Sequence, residues 1–358
     1  MHLQRFSTTT TDPQERGRQI GARWSEQIRN TSELYVGFFV AMGLDHDWIR
    51  TKAEHSHDAL RIWRPALAEE LDACSLGAGV PAWHLQAVNA RTEILAAAAS
   101  AGGAECSTVI YSPSGANAPQ TIQTWDWHEE LVPEGLLLEL IPAPGRTVKL
   151  FTEFGALGKI GVNSHGIGLH FNILSHVSDD ASGGVPVHAI ARAILDEAST
   201  LEDAVAIAAS ARVSASTALT VVSSNGYAPG SVSIELSPAG TRVVPMDGNG
   251  WLIRTNHFLD PGLGVGDTIP SNSATRERFA HLESARTDMA GREANEMASA
   301  MCGNEGPEAV VCFHPDYNLP AIDQWKTLLT IRLDTIACDL EVAATNPYEA
   351  SLTGFTRF

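Results

Sequence analysis

Gly102-Gly103-Ala104-Glu105-Cys106-Ser107-Thr108, followed one turn region later by Gln123-Thr124-Trp125-Asp126-Trp127, marks the point where the texture of this chain changes. Upstream the apolar residues repeat at helical spacing. Downstream come short runs of β-branched and aromatic residues broken by turn formers. A cysteine that opens the first strand of a new region, with a hydroxyl residue beside it, suggests a nucleophile exposed when the chain is cut at its own amide.

Working back from Cys106, Ile20, Trp24 and Ile28 fall at intervals of four. Leu34, Phe38 and Phe39 continue the pattern, and Leu60, Trp63, Leu67 and Leu71 repeat it. Gly77, Gly79 and Pro81 punctuate the series before a last helix through Val88 to Ala99. The expectation is an all-helical leader, residues 1–105. Working forward, strands are predicted at Ser107–Tyr111, Gln120–Trp125, Leu136–Ile141, Thr147–Phe151, Lys159–Asn163 and Gly166–Asn172, reading as an antiparallel meander. Helices at Val187–Glu197 and Leu201–Ala209 follow. Strands return at Thr217–Ser223, Ser231–Glu235, Thr241–Val244 and Trp251–Thr255. Helices at Ala274–Ser284 and Ala294–Met301 precede a last strand pair, Thr327–Arg332 and Ile336–Glu341. Strands, two helices and strands again predict an α+β fold for residues 106–358: two antiparallel sheets between helical layers, an αββα sandwich.

Composition narrows the function. The 358 residues are 44% hydrophobic and 18% charged, enough to build a full core. Twenty-four basic against 42 acidic residues give a net charge of −18, with no basic block along any predicted helix, which argues against nucleic acid and anionic membranes as partners. No basic segment followed by an apolar run opens the chain and no apolar stretch approaches a membrane span, so the expected location is cytoplasmic. Five cysteines without a CxxC pair predict neither a disulfide framework nor a zinc knuckle.

Glu105-Cys106-Ser107-Thr108 with Gln123-Thr124-Trp125-Asp126-Trp127 resembles the peptidase C45 family of acyl-coenzyme A:6-aminopenicillanate acyltransferase-like proteins, within the N-terminal nucleophile hydrolases. Gly161-Val162-Asn163-Ser164-His165-Gly166-Ile167-Gly168-Leu169, then Phe171-Asn172, is similar to a signature shared with the related choloylglycine hydrolases. Arg254-Thr255-Asn256-His257-Phe258 resembles the family's Asn-His motif, Ser273-Ala274-Thr275-Arg276 its Ser/Arg motif, and Gly17-Arg18-Gln19-Ile20-Gly21 the start of its leader. The resemblance implies a four-layer αββα sandwich and a precursor that cleaves itself before Cys106. It assigns Cys106 as nucleophile and Asp126 to orienting the new α-amine. Asn172 and Asn256 become oxyanion donors, and Arg276 a contact to Asp126 or substrate.

That chemistry is physically sound. An N-terminal Cys106 has an α-amine with a reference pKa of about 7.7–8.0, which can accept the thiol proton, so nucleophile and base share one residue. The expected reaction is cleavage or transfer of the acyl group of a small N-acylated amine through a Cys106 thioester. No resident cofactor is needed, and a coenzyme A thioester is an allowed acyl donor for the alternative, an N-acyltransferase. A non-catalytic binding protein of the same fold is the rival from another class. Other cysteines and histidines offer competing readings. His46, His55 and His57 near Asp45, Asp47 and Asp58 could ligate a metal, but they lie in the helical leader without an HExxH-like frame, so no metal is predicted. Cys74, Cys302, Cys312 and Cys338 read as small core residues. A second copy of the chain is an open partner, because the leader carries apolar surface to cover.

Overall fold

The computed structural model describes residues 1–98, 105–225, 230–270, 273–320 and 324–358. It opens with strand β1 (His2–Thr8) and six helices, α1 (Pro13–Arg23), α2 (Ser25–Ala41), α3 (His46–Trp63), α4 (Pro65–Ala78), α5 (Ala82–Asn89) and α6 (Arg91–Ala97). A hairpin of β2 (Glu105–Tyr111) and β3 (Gln120–Trp127) follows, then β4 (Glu134–Ala143), β5 (Arg146–Thr152), β6 (Ile160–Asn163) and β7 (Ile167–Ile173). After α7 (Val187–Glu197) and α8 (Leu201–Ala209) come β8 (Thr217–Ser223), β9 (Gly230–Ser237), β10 (Gly240–Pro245) and β11 (Trp251–Arg254). The chain ends with α9 (Pro261–Gly264), α10 (Thr275–Met289), α11 (Ala294–Cys302), β12 (Lys326–Asp334), β13 (Asp339–Ala343), α12 (Pro347–Thr353) and β14 (Thr356–Arg357).

The strands form an eight-stranded sheet, β1-β4-β5-β6-β7-β8-β9-β10, and a six-stranded sheet, β11-β2-β3-β12-β13-β14. Helices α7 and α8 pack on the larger sheet, α10 on the smaller, and the sheets meet through β2 and β7, giving helix, sheet, sheet, helix. Burial on both faces explains why β8 lacks alternation: all seven of its residues are buried. Local chemistry fixes the helix ends. Asp12 accepts from Glu15 N ahead of Pro13, and Thr200 and Asp203 form a reciprocal capping box at α8.

The glycines of the Gly17-Arg18-Gln19-Ile20-Gly21 stretch serve close packing. A Cβ on Gly17 would stand 2.1 Å from Glu70 O, and one on Gly21 2.2 Å from Cys74 O, so α1 lies directly on the backbone of α4. That approach buries Ile20, Trp24 and Ile28 in one core with Phe154 and Leu157 of the following region. At about 1.5–3 kcal/mol per fully buried large side chain, this contact binds the leader to the sandwich rather than leaving it a separate unit.

The structure corrects several expectations. The leader is not all helical: β1 pairs in parallel with β4, from His2 opposite Glu134 to Thr8 opposite Leu140, so the larger sheet contains a parallel pair. The meander is split between sheets, β2 and β3 in the smaller and β4 to β7 in the larger, because the chain crosses over through the turn Glu129–Leu131. The strand expected at Ile336–Glu341 begins at Asp339 instead, because a turn with Cys338 at φ 55° precedes it. The helix expected through Val88–Ala99 is broken at Ala90, and Ala99 with Gly102, Gly103 and Ala104 lies outside the described residues. Among the described residues no helix is long and apolar enough to cross a membrane.

Candidate active site

The β2–β3 hairpin sets the site. Cys106 lies directly opposite Trp125, and Thr108 opposite Gln123. Alternation along each strand therefore sends these four side chains to one face, toward the larger sheet, and Asp126 to the other. On the inner face Gln123 Nε2 donates to Thr108 Oγ1 at 2.8 Å and to Phe171 O at 2.8 Å, and Thr108 Oγ1 donates to Asn172 Oδ1 at 2.9 Å. His170 Nδ1 meets Gln123 Oε1 at 3.1 Å, and burial pushes that imidazole down to about 3, so it is a neutral structural partner. These bonds lock β7 to the hairpin.

Side chains from β7, α10 and the loop after β11 grip the main chain of Cys106. Its N–H donates to Asn256 Oδ1 at 2.8 Å. Its carbonyl accepts from Asn172 Nδ2 at 3.1 Å and from Arg278 Nη1 at 2.8 Å. Arg278 also donates to Ser107 Oγ at 2.9 Å and to Asn256 Oδ1 at 3.0 Å, so one guanidinium ties the three together. Burial lowers Arg278 to about 9. The Cys106 side chain is buried, and burial, then the nearby Asp126, pushes its thiol up to about 12.

Asp126 is fully buried on the opposite face. Its Oδ1 accepts from Thr327 Oγ1 at 2.5 Å, and its Oδ2 has no partner among the described residues. Burial holds the carboxyl well above the usual carboxylate range.

Between α2, α6 and the strands lies a second polar cluster. Glu153 accepts from Arg91 Nη2 at 2.5 Å, from Lys159 Nζ at 3.3 Å and from the Tyr35 hydroxyl, which in turn accepts from Trp127 Nε1 at 2.9 Å. Lys159 Nζ sits 3.3 Å from the centroid of the Trp125 ring, the residue opposite Cys106. Burial, aided by Arg91 and opposed by Glu153, brings Lys159 down to about 7. Glu153 is lowered because Arg91 and Lys159 outweigh its burial.

The predicted residues Cys106, Asn172 and Asn256 are brought together, with Asp126 on the reverse of the same hairpin. Two placements differ from expectation. Asn256 donates one amide N–H to Ile173 O at 2.9 Å and offers its oxygen to Cys106 N, so in this chain it also holds the nitrogen of Cys106. Arg276 is exposed, whereas Arg278, two residues on, is the guanidinium at Cys106. Helical register separates them: Thr275, Arg278, Leu282, Ala285 and Met289 form the buried face of α10. Lys159 and Arg91 escape a reading of the sequence, since neither carries a motif. Cys302 and Cys312, read as core residues, are buried with their sulfurs 3.7 Å apart. In the leader, His46 and His55 are exposed, and His57 Nε2 lies 2.9 Å from Asp72 Oδ1.

With this geometry in place, comparison with known proteins gives a family. Residues 114–347 match the model described as acyl-coenzyme A:6-aminopenicillanic acid acyl-transferase, a stretch that includes Asp126, Lys159, Asn172, Asn256 and Arg278 and begins after Cys106. The acyl-coenzyme A:6-aminopenicillanic-acid-acyltransferase 40 kDa form of Emericella nidulans is 30% identical over 223 residues, covering 61% of this chain and 60% of that protein's length. Among solved structures, penicillin V acylase from Agrobacterium tumefaciens aligns at 14% identity and TM-score 0.40, over 67% of this chain and 83% of that one. The N-acylethanolamine-hydrolyzing acid amidase ortholog of Caenorhabditis elegans aligns at 14% and 0.44, over 64% and 93%. A mutant conjugated bile acid hydrolase from Clostridium perfringens aligns at 10% and 0.44, over 70% and 92%.

Proposed function

The chain belongs to the acyl-coenzyme A:6-aminopenicillanic acid acyl-transferase family, and from that premise we propose that it is a self-processing cysteine amidase or acyltransferase acting on the C–N bond of a small N-acylated amine, with Cys106 as nucleophile. The observation that carries the reading is the grip on Cys106: its nitrogen held by Asn256, its carbonyl by Asn172 and Arg278, and its side chain buried. A structural cysteine needs no such anchoring of its own backbone from three separate segments of the chain.

In the proposed reaction the chain is first cut between Glu105 and Cys106. The freed α-amine, retained by Asn256 Oδ1, takes the thiol proton, and the buried Asp126 carboxyl is the group nominated to orient the resulting ammonium. The Cys106 thiolate adds to the acyl carbonyl of the substrate. Asn172, close by on β7, is the nominated donor to the developing oxyanion, and a preorganised donor of this kind contributes about 10²–10³ in rate. The α-ammonium returns its proton to the departing amine, leaving a thioester on Cys106. Water or a second amine resolves it. The Emericella relative is named for acyl transfer from a coenzyme A thioester, which favours an amine acceptor and a thioester donor as the alternative to hydrolysis. The reading calls for no resident cofactor, and the setting proposed with it is cytoplasmic.

The test is the denatured intact mass of the wild-type protein beside Cys106→Ala, before and after incubation with amide and thioester donors. Two fragments meeting at Glu105/Cys106, with an acyl adduct on the larger, are expected from the wild type and one unmodified chain from the variant. An uncut chain without adduct in both would return the protein to the non-catalytic binding reading. A competing amine then separates transfer from hydrolysis by the product released.

A further inference from the structure

Self-cleavage raises a problem that the mature mechanism does not solve. Before the cut, the nitrogen of Cys106 is an amide whose N–H is donated to Asn256 Oδ1. An amide nitrogen cannot take the thiol proton, so the first turnover needs a base of its own. Asp126 is a poor choice: its side chain leaves the hairpin on the face opposite that of Cys106. His170 bonds Gln123 through Nδ1, and burial pushes it down to about 3, too weak a base for a thiol.

Lys159 stands on the Cys106 side of the hairpin. Its ammonium nitrogen is 3.3 Å from the Trp125 ring centroid, and Trp125 and Cys106 are directly opposed across β2 and β3 with side chains on one face. Opposed side chains in such a pair have Cβ atoms about 4.5–5.5 Å apart. The groups facing Lys159 are Glu153 beside it, Arg91 from α6, Tyr35 from α2, His188 from α7, and Cys106 and Trp125 from the hairpin. Arg91 and Lys159 share the single carboxylate of Glu153, with the shorter contact going to Arg91, 2.5 Å against 3.3 Å. Among the described residues the cluster thus holds two cations for one anion in a fully buried space, and of the two only lysine can shed its charge.

We propose that Lys159 is the general base of self-cleavage, and that Arg91 of the leader, by occupying Glu153, leaves Lys159 free to take the Cys106 proton. The proposal rests on the self-processing reading above. The proton moves from Cys106 Sγ to Lys159 Nζ, and the thiolate adds to the carbonyl carbon of Glu105. The C–N bond breaks as Lys159 returns the proton to the departing nitrogen, which becomes the α-amine of Cys106. Water then hydrolyses the Glu105 thioester, its hydroxyl completing the new carboxyl group and its proton restoring the thiol. Lys159 ends neutral, as it began, and the new α-amine replaces it as base. The leader therefore positions the base for its own release, Arg91 and Tyr35 acting as positioning residues through Glu153.

The experiment uses the full chain synthesised in a cell-free system at fixed pH from 5.5 to 8.5, with cleavage followed by intact mass. Wild-type cleavage should accelerate with pH and reach half its maximum near about 7. Lys159→Arg keeps the buried cation but cannot give up its proton, so it should cleave at least about 100-fold more slowly. Its melting should match that of the equally uncut Cys106→Ala chain. Arg91→Met, which frees Glu153 for Lys159, should shift the midpoint upward. Wild-type cleavage that is flat between pH 6 and 8, or Lys159→Arg that cleaves at the wild-type rate, overturns the assignment while leaving self-processing intact. A wild-type chain uncut at every pH overturns both. The pH profile of the wild type decides the matter without relying on any variant to fold.

Discussion

Two buried ion clusters join the leader to the sandwich, and they are balanced differently. In the first, Arg16 of α1 donates to Glu70 of α4 at 2.8 Å, Arg192 of α7 donates to both Glu70 oxygens at 2.9 and 3.0 Å, and Arg192 also reaches Asp196 at 2.8 Å. Two cations meet two carboxylates. In the second, Arg91 and Lys159 share Glu153. A matched buried network works as a tie, since every member would be left stranded by the loss of another. A network with one cation too many relieves itself by moving a proton, which places chemistry where the excess lies. The excess lies beside the hairpin of Cys106.

The sharpest way to break this comparison is Glu70→Leu, which strands Arg16 and leaves Arg192 with Asp196 alone. A loss of about 3–5 kcal/mol is expected in denaturant unfolding of uncut chains carrying Cys106→Ala, with the cleavage rate per folded molecule unchanged in the wild-type background. A Glu70 variant that stays stable but stops cleaving would merge the two clusters into one functional unit. Next in size is Arg278→Lys. Lysine keeps the charge but loses the fork that spans Cys106 O, Ser107 and Asn256, and acyl-transfer rates should fall about 10–100-fold, or about 1.4–2.7 kcal/mol. Exposed Arg276→Lys should leave the same rates unaltered, and equal losses from both would restore the sequence-based assignment.

The smallest effect tests why the second cluster stays unbalanced. Glu93 follows Arg91 by two residues, yet its carboxyl accepts the Val187 N–H at 2.8 Å rather than a cation, and burial pushes it up to about 8. It therefore stays protonated and does not neutralise the extra charge. Because its folded value lies above its unfolded one, the stability it contributes is full below about pH 4.5 and is lost as pH rises toward 8. Glu93→Gln should flatten that decline, by at most about 1.4 kcal/mol per pH unit, in melting curves taken between pH 5 and 8. An unchanged slope would mean that Glu93 is ionised and the cluster balanced after all.

Most of the sandwich is legible in the sequence because its signals are local. The β2–β3 hairpin shows in alternating apolar residues around the 112–119 turn, and α8 shows in its capping residues. What escapes depends on distance or register. Strand β1 pairs with residues more than 120 positions away, and nothing within HLQRFST announces a parallel partner. The choice between Arg276 and Arg278 turns on which face of α10 is buried, a two-position difference that motif likeness passes over. Lys159 stands at the edge of β6 with no periodic neighbour, and its importance arises only when Glu153, Arg91 and Trp125 converge on it. The Cys106 motif is readable as chemistry, but its anchoring by Asn256 and Arg278 joins residues 150 and 172 positions apart from it.

Strand β1 has one more consequence. It lies at the edge of the larger sheet, hydrogen-bonded to β4, while its own segment continues into helices that rest on the core. The cleavage proposed ahead of Cys106 would make the molecule a two-piece assembly in which the shorter piece lends a strand to the longer. Its unfolding is then a dissociation: the melting temperature should climb with the logarithm of protein concentration, and the two pieces, made separately and mixed, should reconstitute each other as a split protein does.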